Sequence, residues 1–371
     1  MQTSIFANLK ESGIEFVRDF PVFKSYLGKR TDQVGYSKLI NRAKQKGEHY
    51  KLTKSERNEA KKLWRAILPQ SALGRGWNFY EMVKACSVFD PQYLPSAWYM
   101  PYVFEKLNYV PYLETLAHKC LHGFFFQGCN QPKMLVGSIA GILFDEFYHV
   151  ISLEEVIQIL KRGNFIFKPA TDSSMGRGIK LFSTPMSANE ITALLGSSKS
   201  DFIIQEVVDQ SDIMKSLNPS SLNCMRITTL NINGLISPTN LIVKIGAKGQ
   251  IVDNIGAGSG GMMVGLTKEG HLKDFGCRVD GSYIGIEEGF GYAGMQIPNF
   301  EEVLKFAVRC HTVASSMGVI GWDIALDKNN QPVLIEGNSY WPGITIEQIC
   351  AGPIFGERTF ELVKYIKHIV D

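Results

Sequence analysis

The chain runs to 371 residues, 45% hydrophobic and 20% charged, ordinary proportions for a globular protein long enough for two or three packed units. Its 39 basic and 36 acidic residues leave a formal charge of +3, which excludes a global field directed at nucleic acid or an anionic membrane. The opening MQTSIFANLKESGIEF lacks a basic start followed by a continuous apolar core, and the longest apolar run falls far short of the roughly 20 residues that span a bilayer, so a cytoplasmic chain without a transmembrane segment is expected.

Residues 1 to about 90 read as helical and basic. KLTKSERNEAKKLWRAI, Lys51 to Ile67, mixes good helix formers with Leu63, Trp64 and Ile67 on one side. Glu56 and Glu59 interrupt its cations, so a solvated amphipathic helix is expected rather than a nucleic-acid surface. The proline-rich DPQYLPSAWYMPY, Asp90 to Tyr102, breaks this pattern and separates an N-terminal region, 1–90, from a second region, 91–371. His118 and His122 stand four apart with Cys120 between them, a helical spacing for two metal ligands, but no further His or Cys at ligand spacing follows nearby. The seven cysteines are scattered without a CxxC pair and predict reduced thiols. MLVGSIAGILF, Met134 to Phe144, predicts a buried helix.

A short helix from Glu154 to Arg162, ended by Gly163, leads into FIFKPATDSSMGRGIKLF, residues 165–182. FIF before Lys168 and IKLF after the glycines are strand-like, with a Ser/Gly loop between them: a solvated hairpin tip, or a phosphate loop if an anion lies near. FIIQEVV (Phe202 to Val208) and RITTLNINGLISPTNLIVKIG (Arg226 to Gly246), with Asn233-Gly234 as its turn, predict a largely antiparallel sheet. GAGSGG, Gly256 to Gly261, matches GxGxxG in form only, since MMVGLTKEG follows it in place of a long helix; it reads as tight backbone beside a charged ligand. Asn299 is expected to cap a helix through EEVLKFAVRCHTVASSM that Gly318 stops in the left-handed conformation.

The most informative segment is GVIGWDIALDKNNQPVLIEGNSYWPG, residues 318–343. VIGWDIAL and PVLIEGN flank the turn-forming DKNNQ and predict an antiparallel hairpin in which Leu326 pairs with Val333 and Asp323 faces Glu336. Period-two alternation then puts Asp323, Glu336 and Asn338 on one face. Two opposed carboxylates in an apolar setting, with Trp322 and Trp341 close by, repel each other and call for positive charge between them. Magnesium fits such a set, because it prefers oxygen ligands and takes only a few from protein, the rest from phosphate and water. A lysine and Ser/Gly loop on another hairpin would receive those phosphates; no Walker A loop is present, as GxxxxGK[ST] is absent.

These residues resemble the ATP-grasp superfamily, and most closely its sugar-transfer-associated branch, related to glutamate ligases and the tubulin-tyrosine-ligase group. The resemblance covers about residues 130 to 371 and rests on the ordered set QPKMLV, FIFKPATDSSMGRGI, FIIQEVV, LNCMRITTL, VDNIGAGSGG, GWDIAL and VLIEGN. It implies an α+β fold of two lobes with the nucleotide between antiparallel sheets: a nucleotide lobe at about 130–208 and a metal-binding lobe at 209–371, with the helical N-terminal region in addition.

Position by position, Lys133 and Lys168 resemble the nucleotide-contacting lysines, and Ser173, Ser174, Gly176 and Gly178 the flap over the phosphates. Gln205, Glu206, Val207 and Val208 resemble the adenine-recognising segment between the lobes. Asp323, Glu336 and Asn338 match magnesium ligands. Arg226 matches the basic residue that meets the γ-phosphate, with Asn254 a further catalytic candidate. Where the branch is expected to carry a second arginine this chain has Lys244, a point charge in place of a planar fork.

The resemblance implies an enzyme that uses ATP and Mg2+ to join a small-molecule carboxylate to an amine through an acylphosphate, on an amino acid or a sugar-linked carboxylate, in surface-polysaccharide modification. Two other readings stay open: phosphoryl transfer to a different acceptor, and a non-catalytic nucleotide-binding module whose N-terminal region recruits a partner.

Overall fold

The computed structural model describes residues 35–108, 110–171, 176–198, 200–251, 260–339 and 343–370. Three helices come first: α1 (Tyr36–Gln45), α2 (Lys54–Trp64) and α3 (Trp77–Lys84). α2 starts at a capping box, in which Thr53 Oγ1 accepts from Glu56 N while the Glu56 carboxylate accepts from Thr53 N. Trp64 is buried at its end and donates from Nε1 to Pro91 O at 2.9 Å, which ties the helix to the proline-rich segment. That segment continues as a helical stretch widened to a π-helical turn at Tyr99–Phe104, where Pro101 has no N–H to offer an α-helical bond. Then follow α4 (Val110–Ala117) and a 3₁₀ turn at Lys119–Leu121.

β1 (Met134–Ile139) and β2 (Ile142–Phe144) form a hairpin, so the helix expected over Met134–Phe144 is not there. Ala140 and Gly141 turn the chain with φ of 51° and 81°, both left-handed as a tight two-residue hairpin loop requires. Asp201 Oδ1 accepts the Ala140 N–H at 2.8 Å, and Gly137 lies so close under the Phe144 ring that a Cβ would overlap it. A short apolar run has no period that separates a buried strand from a buried helix; here pairing of β1 with the distant β5 (Phe202–Glu206) makes it a strand.

α5 (Leu153–Leu160), β3 (Phe165–Pro169), β4 (Lys180–Phe182), α6 (Ala188–Gly196) and β5 (Phe202–Glu206) complete an antiparallel sheet of order β2-β1-β5-β3-β4. The strands expected around Lys168 do pair, Phe165 with Phe182 and Phe167 with Lys180. α5 and α6 cover one face, packing Val156, Leu160, Ile191 and Leu194 on Val136, Phe165, Phe167, Phe202 and Ile204. Alternation sends Lys168, Ile203 and Gln205 to the opposite face, towards the Cys120 segment.

The second sheet gathers β6 (Cys224–Ile232), β7 (Leu235–Ile245), β8 (Met262–Leu266), β9 (Leu272–Cys277), β10 (Tyr283–Gly285), β11 (Val319–Leu326) and β12 (Pro332–Asn338) in the order β10-β9-β8-β7-β6-β11-β12, all antiparallel. β6 and β7 meet at the expected turn, with Asn233 and Gly234 at φ 53° and 83°. α7 (Asp212–Leu217) links the sheets, α8 (Phe300–Val313) and α9 (Thr345–Ala351) pack against the second, and α10 (Thr359–Val370) ends the described chain. One core joins Trp64, Phe79, Trp98 and Phe104 of the N-terminal helices to Met225, Ile227, Trp322 and Phe355.

Two local expectations are corrected. α8 stops at Val313, and Gly318 is not left-handed: its N–H bonds Leu107 O at 2.9 Å and a Cβ would stand 2.7 Å from that oxygen, so it is there for close approach. Asn299 precedes α8 at φ 54° without a side-chain cap, its Nδ2 donating instead to Asn330 O. In the last hairpin Leu326 pairs with Pro332, not Val333; a bulge at Ile335 absorbs the one-residue difference, so Asp323 still faces Glu336.

Gly163 follows α5 at φ 68°, and a Cβ there would overlap the Thr184 carbonyl. Gly163→Ala is therefore expected to cost about 2 kcal/mol or more, read as a lowered urea midpoint at unchanged slope.

Candidate functional site

The register of the second sheet brings one face of four strands to a single place. Asp323 on β11 lies opposite Arg226 on β6 and Glu336 on β12, Gly321 lies between Thr228 and Asn338, and Cys224 pairs with Lys244 on β7. Paired residues share a face, so these side chains point the same way.

Asp323 is 4% exposed and both its oxygens are occupied. Arg226 grips it with two bonds, Nε to Oδ1 at 2.5 Å and Nη2 to Oδ2 at 3.0 Å; Lys244 Nζ reaches Oδ2 at 3.0 Å and Asn338 Nδ2 donates to the same oxygen at 3.2 Å. Burial by itself would raise this carboxyl, but Arg226 and Lys244 hold it well below the usual range. Glu336 binds Lys119 Nζ at 3.0 Å, and against the effect of burial that lysine lowers its carboxyl too. The positive charge that the opposed carboxylates call for thus comes from Arg226, Lys244 and Lys119.

Lys119 also connects this face to the first sheet: its backbone N–H donates to Ala170 O at 3.0 Å, two residues after Lys168. Lys168 is buried, and its field is felt at His122 together with those of Glu336 and Lys119. The two hairpins singled out in the sequence therefore approach each other across the Lys119–His122 turn. Gly176 and Gly178, at the end of the flap, have φ of 71° and 76°; Ser173, Ser174 and Asn254, like the glycines up to residue 259 and Trp341, lie outside the described residues.

Other candidates sit apart from the cluster. Lys133 is half exposed and paired with Glu146 at 2.7 Å, while its carbonyl accepts from Glu206 N at 3.0 Å. Gln205 is buried, donating to Pro132 O, whereas Glu206 and Val207 are exposed and Val208 is half-buried where the chain leaves the first sheet. The two histidines do not converge: His118 Nε2 meets Asp201 at 3.2 Å, and His122 Nε2 donates to Leu116 O at 3.0 Å, its pKa pushed down to about 4 by burial.

Two members of the site were not read from the sequence. Lys119 stands inside an apolar segment between the spaced histidines, whose spacing points to a metal rather than to a lysine role. Glu347 is a lone acid in the apolar ITIEQICAG; on α9 it accepts from Arg226 Nη1 at 3.2 Å and from Thr228 Oγ1 at 3.5 Å, and it is 1% exposed.

Among the described residues no three His, Cys, Asp or Glu side chains gather as a metal centre. The candidate set is two carboxylates and a carboxamide. Its all-oxygen chemistry suits magnesium, and Glu336, with 31% of its side chain exposed, is the member open to an approaching ion. Asp323 Oδ1 accepts only from Arg226 Nε among the described residues and keeps a lone pair for an ion, whereas Oδ2 would have to give up Lys244 or Asn338.

Residues 104–362, more than two thirds of the chain, match the family described as sugar-transfer associated ATP-grasp. This superfamily binds ATP and includes ATP-dependent carboxylate–amine ligases. Among solved structures, biotin carboxylase from Campylobacter jejuni in complex with β-γ-ATP is 10% identical and aligns over 71% of this chain and 48% of its own, with a TM-score of 0.44. D-alanine:D-serine ligase from Enterococcus faecalis is 12% identical over 69% and 62% of the two chains, TM-score 0.41. N5-carboxyaminoimidazole synthase from Aspergillus clavatus is 7% identical over 67% and 56%, TM-score 0.39. The chain spans about half the length of such structures. No curated protein matches it. Among the described residues no helix is long and apolar enough to cross a membrane.

Burial pushes the Glu347 carboxyl up from 4.5 to about 7, against the pull of Arg226. A folded value above the unfolded one means that its contribution to stability is full below about pH 4.5 and is lost as pH rises through about 7. That contribution is expected to fall by about 3 kcal/mol across the window, and Glu347→Gln to flatten this part of the unfolding profile. A profile that the substitution leaves unchanged would show that Glu347 does not titrate there.

Proposed function

The chain belongs to the sugar-transfer associated ATP-grasp family, and we propose that it is an ATP-dependent carboxylate–amine ligase that forms an amide bond through an acylphosphate. The observation that carries this reading is the cluster of Arg226, Lys244 and Lys119 around Asp323, Glu336 and Asn338, joined to the Lys168 hairpin through the Lys119 turn. Activating a carboxylate with a phosphoryl group concentrates negative charge on phosphate oxygens. Cations already fixed in a buried site stabilise that charge without solvent reorganisation. Arg226 has the geometry for the task, because Asp323 fixes its fork in one orientation.

In this reading Lys133 contacts the nucleotide and Lys168 reaches its phosphates, the flap with Ser173, Ser174, Gly176 and Gly178 closes over them, and the Gln205–Val208 segment receives adenine. Asp323, Glu336 and Asn338 would hold magnesium, which when bound offsets phosphate charge. Lys244 and Asn254 complete the catalytic set. No side-chain nucleophile is needed, and the cysteines stand outside the chemistry. The substrate is an amino acid or a sugar-linked carboxylate, and the setting is surface-polysaccharide modification.

Phosphate release measured against pooled amino acids and uronic-acid sugars, with mass detection of condensed product, tests this directly. Release is expected only when a carboxylate and an amine are both present. Release with a hydroxyl acceptor alone would identify a phosphotransferase, and the ligase reading would fall.

Glu336→Gln is expected to lower turnover about 100-fold or more with little change in thermal midpoint, since Glu336 is partly open and among the described residues has a single ionic partner. Asp323→Asn is expected to lose turnover as well and to cost about 3 kcal/mol, because it leaves Arg226 and Lys244 facing a neutral amide. Normal activity in both would remove the metal assignment. Lys168→Ala should weaken ATP binding about 10-fold or more by calorimetry, whereas unchanged affinity would return its loop to an ordinary hairpin tip.

A further inference from the structure

Arg226 carries five N–H donors. Among the described residues Asp323 takes two of them, through Nε and Nη2, and Glu347 takes a third, through Nη1. Two carboxyl groups on different elements thus hold different edges of one planar group. Beneath it the chain leaves room at Gly321, where a Cβ would stand 3.0 Å from Arg226 Cδ and 3.5 Å from Nη1. The guanidinium is confined from the strand side by Asp323 and Gly321, and from the helix side by Glu347.

The helix side is itself fixed. Gln348, fully buried, clamps the backbone of Leu94 from both directions, accepting from its N–H at 3.0 Å and donating to its carbonyl at 2.9 Å. The same Oε1 accepts from Ile354 N at 3.2 Å, and Thr345 Oγ1 meets Ser96 Oγ at 2.8 Å. Three contacts therefore tie α9 to the chain on either side of it. Glu347 is presented to Arg226 from a rigid element rather than a loop.

We propose that Glu347 is a positioning residue: from α9 it fixes the plane of the Arg226 guanidinium, so that the donors left over keep one orientation. The inference rests on the reading of Arg226 as the group that meets the transferring phosphate. What matters for positioning is an acceptor at the right reach. Shortening the side chain by one methylene withdraws that acceptor by about 1.5 Å, whereas exchanging carboxyl for carboxamide keeps it in place.

The test compares Glu347→Asp, Glu347→Gln, Arg226→Ala and the double variant Arg226→Ala/Glu347→Asp in full-length protein, by steady-state ATP turnover with thermal midpoints in parallel. Glu347→Asp is expected to lower kcat about 30-fold or more with KM for ATP within about 3-fold, and Glu347→Gln to stay within about 3-fold of the parent. The double variant should be no slower than Arg226→Ala, because Glu347 acts only through the arginine. Parent-like turnover in Glu347→Asp, equal losses in the Asp and Gln variants, or losses that add to that of Arg226→Ala would each overturn the inference. Parent-like turnover in Arg226→Ala would instead remove the reading beneath it. If Glu347→Asp does not fold, Glu347→Met, of similar length and without the acceptor, is held to the same outcomes.

Discussion

The Asp323–Arg226 pair is the contact on which the site is built. A charge taken out of water costs several kcal/mol unless it meets an opposite charge and has its hydrogen bonds filled. Asp323 meets both conditions, with a forked guanidinium, an ammonium and a carboxamide on its two oxygens. These partners come from β6, β7 and β12, so the full set exists only while three strand registers hold at once. A slip of one residue in any of them would turn a partner to the opposite face and leave part of the buried charge of Asp323 unmatched. The electrostatics of the site and the register of the sheet are one constraint.

The same constraint explains features that look unrelated along the chain. The bulge at Ile335 lets β12 place Glu336 opposite Asp323 although the outer half of the hairpin is paired one residue out of step. Gly321 has no side chain because the stem of Arg226 crosses it. The N-terminal helices, from whose sequence a solvated amphipathic helix is expected, share the core of the second sheet, and Leu94 and Ser96 hold the helix that carries Glu347.

What the sequence displays are the features with local causes. Asn233-Gly234 encodes its own turn through left-handed dihedrals, a left-handed Gly163 follows its helix, and VIGWDIAL and PVLIEGN pair as a hairpin, although the bulge that aligns Asp323 with Glu336 is not displayed. Features decided by distant partners are not displayed. Met134–Phe144 becomes a hairpin whose first strand pairs with β5 and whose turn Asp201 caps, and Gly318 serves Leu107 rather than the helix before it. Lys119 and Glu347 acquire their roles only through Glu336 and Arg226, which lie more than one hundred residues away in the chain. Two carboxylates were legible as a site in need of charge, but which cations supply it depends on tertiary structure.

The pairs within the cluster also differ in permanence. Arg226 holds Asp323 through a planar fork, and side-chain exposures of 11% and 6% leave little of either group in water. Lys244 contributes one bond from a flexible stem to an oxygen already accepting two others. Glu336 is more open, with a single lysine on Oε1. In the proposed ligase an anion arriving beside these groups would compete for Lys119 and Lys244, and a cation for Glu336, while neither would separate Asp323 from Arg226 at comparable cost. Each exchange favours the other, because a lysine drawn towards phosphate leaves a carboxylate in need of a cation. A lysine at position 244 suits that exchange better than an arginine, whose second bond to Asp323 would have to break before the group could turn.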